Sequence, residues 1–204
     1  MSELIHFEKN YIKAKVLETR NSTAEPVIEA TLFQGVPKGD KMDLIIQKSV
    51  ELGITTIVPV LMARSVVKIE NEKDGRKKQE RWQRIAHEAA KQSGRGVVPR
   101  VLMPISFREA LELAEPFDLK LIPYEKEEAV SIKAALKQGE GHREFERKSV
   151  GIMVGPEGGI DLSEVEKAQK KGFRPVTLGK RILRTETAGF VALSCVMYEF
   201  DEME

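Results

Sequence analysis

Gly155-Pro156-Glu157-Gly158-Gly159 and Leu178-Gly179-Lys180-Arg181-Ile182-Leu183-Arg184-Thr185-Glu186-Thr187-Ala188 decide how this chain is read. Each follows an apolar run with the character of a buried strand, Val150 to Val154 and Pro175 to Leu178, and each leads into a helical pattern. In an open α/β sheet such strand-to-helix loops gather at the carboxyl ends of the strands, where ligands bind. Glycines allow positive φ and close approach of a ligand to the backbone, and the free N–H groups of a helix start favour anionic or electron-rich partners. The first loop is not a P-loop, because no Gly-Lys-Ser/Thr follows, and it is not G-x-G-x-x-G. Alone it could be only a tight turn. The second loop adds two arginines, a carboxylate and two hydroxyls between Arg181 and Ala188. Arg181 and Arg184 offer planar donor forks for a phosphate or a base edge. Thr185 reads as an N-cap, which puts Glu186 in the first helical turn, where a carboxylate is favoured. The competing reading makes Glu186 a complement to the helix dipole and the arginines plain surface charge.

Strands and helices alternate outward from these loops. Asp40 caps a helix running to Leu52, stopped by Gly53. Thr55 to Leu61 is a β-branched strand. Lys77 to Ser93 is a helix with Trp82, Ile85, Ala86, Ala89 and Ala90 on one face, which makes Trp82 a core residue. Val97 to Leu102 is a short strand, and Ser106 with Glu109 forms a capping box for Phe107 to Ala114. Leu119 to Tyr124 is a strand, Ser131 to Gln138 a helix closed by Gly139, and Gly141 to Lys148 a charged loop. Asp161 and Glu164 make a second capping box, and Thr185 to Phe200 is the last helix. This order argues for a mostly parallel sheet covered on both faces. Upstream, Tyr11 to Leu17 and Pro26 to Phe33 alternate as strands do, with a polar loop from Glu18 to Glu25. Two strands are marginal alone, so this piece must dock on the rest or be what remains of a larger β unit. The division is therefore residues 1–34, a small β piece, and 35–204, the α/β domain.

A chain of 204 residues can bury a sizeable core without disulfides. Its single cysteine, Cys195, lies in an apolar helical pattern and reads as a small hydrophobe in a reducing compartment. No run approaches the about 18 apolar residues that span a bilayer, and Met1-Ser2-Glu3-Leu4 lacks signal-peptide character. A cytoplasmic protein without a membrane partner is the expectation. His6, His87 and His142 match no metal spacing. The net charge of +1 hides an asymmetry: Lys73 to Arg100 holds nine basic residues against three acids, and Lys167 to Arg184 holds seven and none. Two positive blocks suggest a polyanion footprint, against the plainer reading of a solvated helix face.

The residues quoted above resemble the RsmE family of ribosomal RNA methyltransferases, in the SPOUT superfamily. The resemblance runs from about Lys38 to Phe200, over three quarters of the chain. It is carried by Lys38-Gly39-Asp40-Lys41-Met42-Asp43, Gln47-Lys48-Ser49-Val50-Glu51-Leu52-Gly53, Arg64-Ser65-Val66-Val67, Glu88 to Arg95, and the two loops, in that order. It implies an α/β fold with a SPOUT-type parallel sheet whose C-terminal part is tied in a deep trefoil knot, a rare exception to unknotted chains. It also implies S-adenosylmethionine as cofactor. Its adenine would be held by backbone around Leu178, Gly179, Ile182 and Leu183, with Thr185 and Ala188 beside them. Gly155, Pro156, Glu157, Gly158 and Gly159 would close on the ribose and methionine part, and Ile122, Pro123 and Tyr124 would form a third wall. The family implies a homodimer and methylation of N3 of a uridine in 16S rRNA, with the small ribosomal subunit as substrate. Family members usually begin with a PUA-like β-barrel. Residues 1–34 resemble only its later strands, an incomplete barrel piece.

Uracil N3 is a poor nucleophile until its proton leaves, so the site needs a base or a cation. Arg184 is expected to stabilise the uracil anion, Glu186 to act as base, and Arg64 to bring a further cation. Arg95, Arg181 and the basic helix segment with Arg76, Lys77, Arg81 and Arg84 are expected on RNA phosphates, which would make binding salt-dependent. The alternatives are a SPOUT enzyme acting on a ribose 2′-OH or a tRNA base, and an RNA- or cofactor-binding protein without turnover.

Overall fold

The computed structural model describes residues 2–19, 22–137 and 149–203. Strands β1 (Ser2–Phe7) and β2 (Ile12–Val16) form an antiparallel hairpin of their own. The larger sheet contains β3 (Glu29–Gly35), β4 (Thr56–Leu61), β5 (Arg100–Val101), β6 (Ile105–Ser106), β7 (Leu119–Pro123), β8 (Ser149–Val154) and β9 (Arg174–Val176). Its spatial order is β5-β4-β3-β8-β7-β9, with β6 beside β4, and its pairings are parallel. The intervening helices are α1 (Lys41–Glu51), α2 (Glu72–Gln92), α3 (Phe107–Leu113), α4 (Ile132–Lys137), α5 (Leu162–Lys170) and α6 (Thr185–Glu199).

Neighbouring residues of one strand serve opposite faces. Leu32, Ile57, Leu121 and Ile152 pack with Ile45, Trp82, Ala135 and Leu193 of α1, α2, α4 and α6. Phe33, Val58, Ile122 and Met153 pack with Phe107 and Ala110 of α3 and Val165 and Ala168 of α5. Both faces are thus buried, which is why the central strands read as continuous apolar runs.

Proline positions fit this order. Val36 N–H bonds Val60 O on one side of β4, and Leu102 N–H bonds Ile57 O on the other. Pro59 therefore faces the side of β5 and β6, and it falls between their pairings at Ile57 and Val60. The missing N–H costs no ladder bond there. Pro175 sits in β9, an edge strand beside β7.

Three expectations are corrected. The boundary between residues 34 and 35 cuts through β3, which is paired with β4 on one side and β8 on the other. Residues 29–34 therefore belong to the parallel sheet, and the partner of β2 is β1, which the alternation upstream did not reveal. Helix α2 starts five residues before Lys77. Asn71 caps it, its side chain accepting from the Asp74 N–H, and its charged first turns have no apolar period to read. The strand expected over 97–102 shrinks to Arg100–Val101. Both capping boxes form as expected. Of the helix expected to end at Gln138, Ile132–Lys137 is seen; Gly139 and the charged loop from Gly141 to Lys148 lie outside the described residues.

The link between hairpin and sheet is clamped twice. Arg95, its side chain 3% exposed, donates to Val50 O at 3.2 Å, to Ile54 O at 2.6 Å and to the Glu25 carboxylate at 2.8 Å. Glu25 also accepts from the N–H groups of Gly96 and Val97. Glu202 accepts from the N–H groups of Val27 and Ile28, both at 2.8 Å. Burial pushes the Glu25 carboxyl up, but the Arg95 bond and charge and the two N–H donors outweigh it and hold the group below its ordinary range. That contribution is present above the unfolded carboxylate value and is lost as pH falls through the depressed folded value. Replacing Arg95 by Met leaves the half-buried Glu25 carboxylate without its cation and the carbonyls of Val50 and Ile54 without this donor, and is expected to cost about 3 kcal/mol in urea unfolding at neutral pH. The acid-side fall in stability should be shallower in that variant than in the wild type.

Candidate active site

The two loops that open the sequence argument are bonded to each other. Thr185 Oγ1 donates to Gly155 O at 2.6 Å. Gln34 Nε2 donates to Thr185 Oγ1 at 2.9 Å and to Gly35 O at 3.0 Å. Gln34 and Thr185 are both buried, so these bonds are made away from water, where an unpaired group is most costly. Thr185 is not the N-cap. Arg184 holds that position without a side-chain cap bond, and Thr185 is the first helical residue. Its hydroxyl bonds the other loop and is not offered to its own helix start. Glu186 remains in the first turn.

Sheet order explains why these loops meet. The chain leaving β3 enters α1 on one face, and the chain leaving β8 enters α5 on the other. Adjacent strands whose connections diverge make a switch point, where a crevice opens. The chain leaving the edge strand β9 then returns, because α6 packs on β3 and β8. Three strand spacings are about 14 Å, well within the roughly 26 Å that residues 177–184 can span.

A cavity of about 450 Å³ occupies this crevice, lined by all five residues from Gly155 to Gly159 and by Lys41, Pro123, Glu125, Ile160, Ile182, Leu183, Arg184, Thr185 and Ala188. That volume lies in the range of small-molecule sites. Its walls combine apolar surface with two carboxylates and two cations. The glycines serve the loop's own packing. A Cβ on Gly155 would lie 2.6 Å from Ile160 Cγ1, and Gly159 has φ +71° with Glu125 Oε1 at 3.0 Å from its Cβ position. A larger cavity, about 680 Å³, lies at the opposite, amino-terminal ends of β3, β4 and β8, beside Thr31, Thr56, Arg100 and Ser149. It is remote from both loops.

Charges fasten the first loop from two sides. Lys41 Nζ lies 2.8 Å from Glu157 Oε1, and the Lys38 N–H donates to the same carboxylate. Burial raises the Glu157 carboxyl, and the Lys41 bond and charge with backbone N–H donors bring it below the ordinary value. Arg64 donates to Gly158 O and to Asp161 Oδ2, each at 3.1 Å. The buried Glu164 accepts from the Ala63 N–H at 2.9 Å, so the Arg64 segment is stitched to the start of α5. Arg64 is thus a brace for the loop.

The other expected site residues divide. Arg184 lines the cavity, exposed and with no side-chain partner among the described residues. Glu186 stands behind Lys41 with its side chain 13% exposed. Ile122 is fully buried in the core and forms no wall. Tyr124 and Leu178 pack against the two core clusters, and Gly179 turns the chain at φ +111°. Of the expected RNA contacts, Arg95 is spent inside the fold. Its place after a basic helix suggested the surface, but three carbonyl or carboxylate acceptors draw it inward. Arg76 pairs with Glu72, and Arg81 with Asp40 and Asp43. Lys77, Arg84 and Arg181 are exposed. Burial pushes the Cys195 thiol up, with help from Glu199, which keeps it unreactive. Among the described residues no group of His, Cys, Asp and Glu is placed to hold a metal, and no helix is long and apolar enough to cross a membrane.

Sequence reasoning missed Gln34, Glu125 and the role of Lys41. Gln34 carried a signal, being the one polar side chain between Leu32-Phe33 and Gly35-Val36.

A parallel α/β sheet with a mixed-charge crevice at its switch point defines the class of doubly wound α/β proteins with a small-molecule-sized site at the strand ends. The chain belongs to the RNA methyltransferase family: the RNA methyltransferase domain model matches residues 23–197. It is 40% identical to ribosomal RNA small subunit methyltransferase E of Bacillus subtilis, over 97% of this chain and 76% of that protein. The protein of the same name from Mesomycoplasma hyopneumoniae is 33% identical, over 95% and 80%. The crystal structure of ribosomal RNA small subunit methyltransferase E from Neisseria gonorrhoeae, bound to S-adenosyl methionine, superposes with a TM-score of 0.81 at 38% identity, covering 96% of this chain and 77% of that one.

Because one hydroxyl joins the loops, Thr185→Val removes the donor to Gly155 O and the acceptor of Gln34 Nε2 with little change in volume. Urea unfolding should show a loss of about 1–3 kcal/mol.

Proposed function

We propose that this protein is an S-adenosylmethionine-dependent methyltransferase that methylates N3 of a uridine in 16S rRNA, acting on the small ribosomal subunit. The observation that carries this reading is the crevice where the two glycine-bearing loops, tied by Thr185 and Gly155, expose Arg184, without a side-chain partner among the described residues, beside acidic and apolar walls. The wall chemistry fits the cofactor. Ile160, Ile182, Leu183, Ala188 and Pro123 suit a flat purine. Glu125 and Glu157 suit a molecule with a sulfonium and an ammonium. When bound, S-adenosylmethionine supplies a methyl group already activated by its positive sulfur.

The chain's own groups then have three tasks. The loops hold the reacting atoms in line, which removes much of the entropic barrier. Arg184 donates to a uracil carbonyl oxygen as charge builds there. Glu186, in the first turn of α6 next to the cavity-lining Thr185, is the carboxylate assigned to take up the N3 proton. Arg181, beside Arg184, and Lys77 and Arg84 on α2 meet RNA phosphates. The reading extends to a homodimer in the cytoplasm, to a trefoil knot formed where the chain from β9 returns to α6, and to a PUA-like role for the β1–β2 hairpin on RNA.

Calorimetry with S-adenosylmethionine should show binding, and mass spectrometry of 16S rRNA after incubation with small subunits should show one added methyl at a uridine base. A methyl on a ribose, or cofactor binding with no transfer, would refute this assignment. Glu186→Gln should lower kcat about 10²–10⁴-fold with the cofactor Kd little changed. The salt dependence of RNA binding should weaken by about one unit of log–log slope for each of Arg181 and Lys77 replaced by Gln.

A further inference from the structure

We propose that Lys41 is a positioning residue of this site, a clasp that draws Glu157 of the first loop and Glu186 of α6 towards one cation. The proposal rests on the methyltransferase reading for the meaning of its rate assay. Its structural content is independent of that reading.

Three elements distant in sequence supply the cluster. Lys41 opens α1, Glu157 belongs to the loop after β8, and Glu186 lies in the first turn of α6. Lys41 Nζ stands 2.8 Å from Glu157 Oε1 and 3.9 Å from Glu186 Oε2. The second distance is within ion-pair reach and beyond a hydrogen bond. The side chains are 31%, 23% and 13% exposed, so water screens these charges less than it would on an open surface. Glu186 Oε2 is shut from solvent and accepts no hydrogen bond among the described residues. An isolated buried carboxylate oxygen is costly. Lys41 is the cation within ion-pair distance of it among the described residues.

The two carboxylates depend on Lys41 unequally. Glu157 also accepts from the Lys38 N–H, so the first loop keeps an anchor when Lys41 is removed. Glu186 has no second cation within ion-pair distance among the described residues, so without Lys41 its buried Oε2 is left without a charge partner there. Loss of Lys41 should therefore disturb Glu186, and with it the rate, more than it disturbs the cavity wall that receives the cofactor. An ammonium carries three donors, and the bond to Glu157 takes one. The others remain free to follow Glu186 as it gains and loses a proton.

The test uses the full chain as wild type, Lys41→Gln, Lys41→Arg, Glu186→Gln and the Lys41→Gln/Glu186→Gln double variant. With small subunits and saturating S-adenosylmethionine, Lys41→Gln should lower kcat by about tenfold or more while the cofactor Kd from calorimetry moves less than about threefold. Lys41→Arg should recover most of the rate. In the double variant the Lys41 change should add nothing to the loss caused by Glu186→Gln. An unchanged rate in Lys41→Gln, losses that multiply in the double variant, or a fall in cofactor affinity larger than the fall in kcat would overturn the proposal. Urea unfolding of the same proteins reads the clasp without turnover. Lys41→Gln should lower the midpoint more in the wild-type background than in the Glu186→Gln background, where only its bond to Glu157 remains to be lost; equal shifts in both would overturn the proposal. A wild type that binds the cofactor yet transfers no methyl would defeat the functional reading alone, and the unfolding comparison would still decide for or against the clasp.

Discussion

One buried hydrogen bond, from the Thr185 hydroxyl to the Gly155 carbonyl, organises the carboxyl-terminal end of the parallel sheet. It joins two loops that leave different strands, one central and one at the sheet edge. Gln34 completes the arrangement from β3. Each group has been taken out of water, so these bonds offset a desolvation cost; Gln34 Oε1 is buried with no hydrogen-bond partner among the described residues. The same bond sets the start of α6. Arg184 is thereby delivered to the cavity rim and Glu186 to the space behind Lys41.

Around that junction, most charges near the cavity brace the backbone and few remain free. Arg64 is committed to Gly158 and Asp161, Glu164 to Ala63, and Glu157 to Lys38 and Lys41. Fixed groups of this sort lower the reorganisation needed when charge develops in a reaction. Arg184 stands apart as a wall cation with no side-chain partner among the described residues. The long basic helix is less available than its composition suggests, since Arg76 and Arg81 are paired with acids.

The far end of the sheet is held by a different device. Glu25 takes up the backbone N–H groups of Gly96 and Val97, Glu202 takes up those of Val27 and Ile28, and Arg95 neutralises Glu25 from inside the fold. This fastens the entry to β3, and so the central strand on which both loops converge. The hairpin beyond it presents Leu4, Phe7, Ile12 and Val16 to solvent, in contrast to the fully covered parallel sheet.

What could be read from residues alone was what depends on neighbours in the chain. The capping boxes at Ser106 and Asp161, the core face of α2 with Trp82, and the two loops with their positive-φ glycines are local, and local spacing reveals them. The resemblance to a family of ribosomal RNA methyltransferases is one that the comparisons bear out. Tertiary structure decided whatever depends on partners far away along the chain. Residues 26–33 looked like half of a small β unit, yet β3 is the middle of the large sheet, because pairing is chosen by strands more than twenty and more than a hundred residues distant. Arg95 looked like a surface cation, and Thr185 like a cap, because no sequence window contains the carbonyls of Ile54 and Gly155 that claim them. Charge and hydroxyl chemistry are written in the residue, whereas the acceptor that uses them is fixed only when the chain has folded.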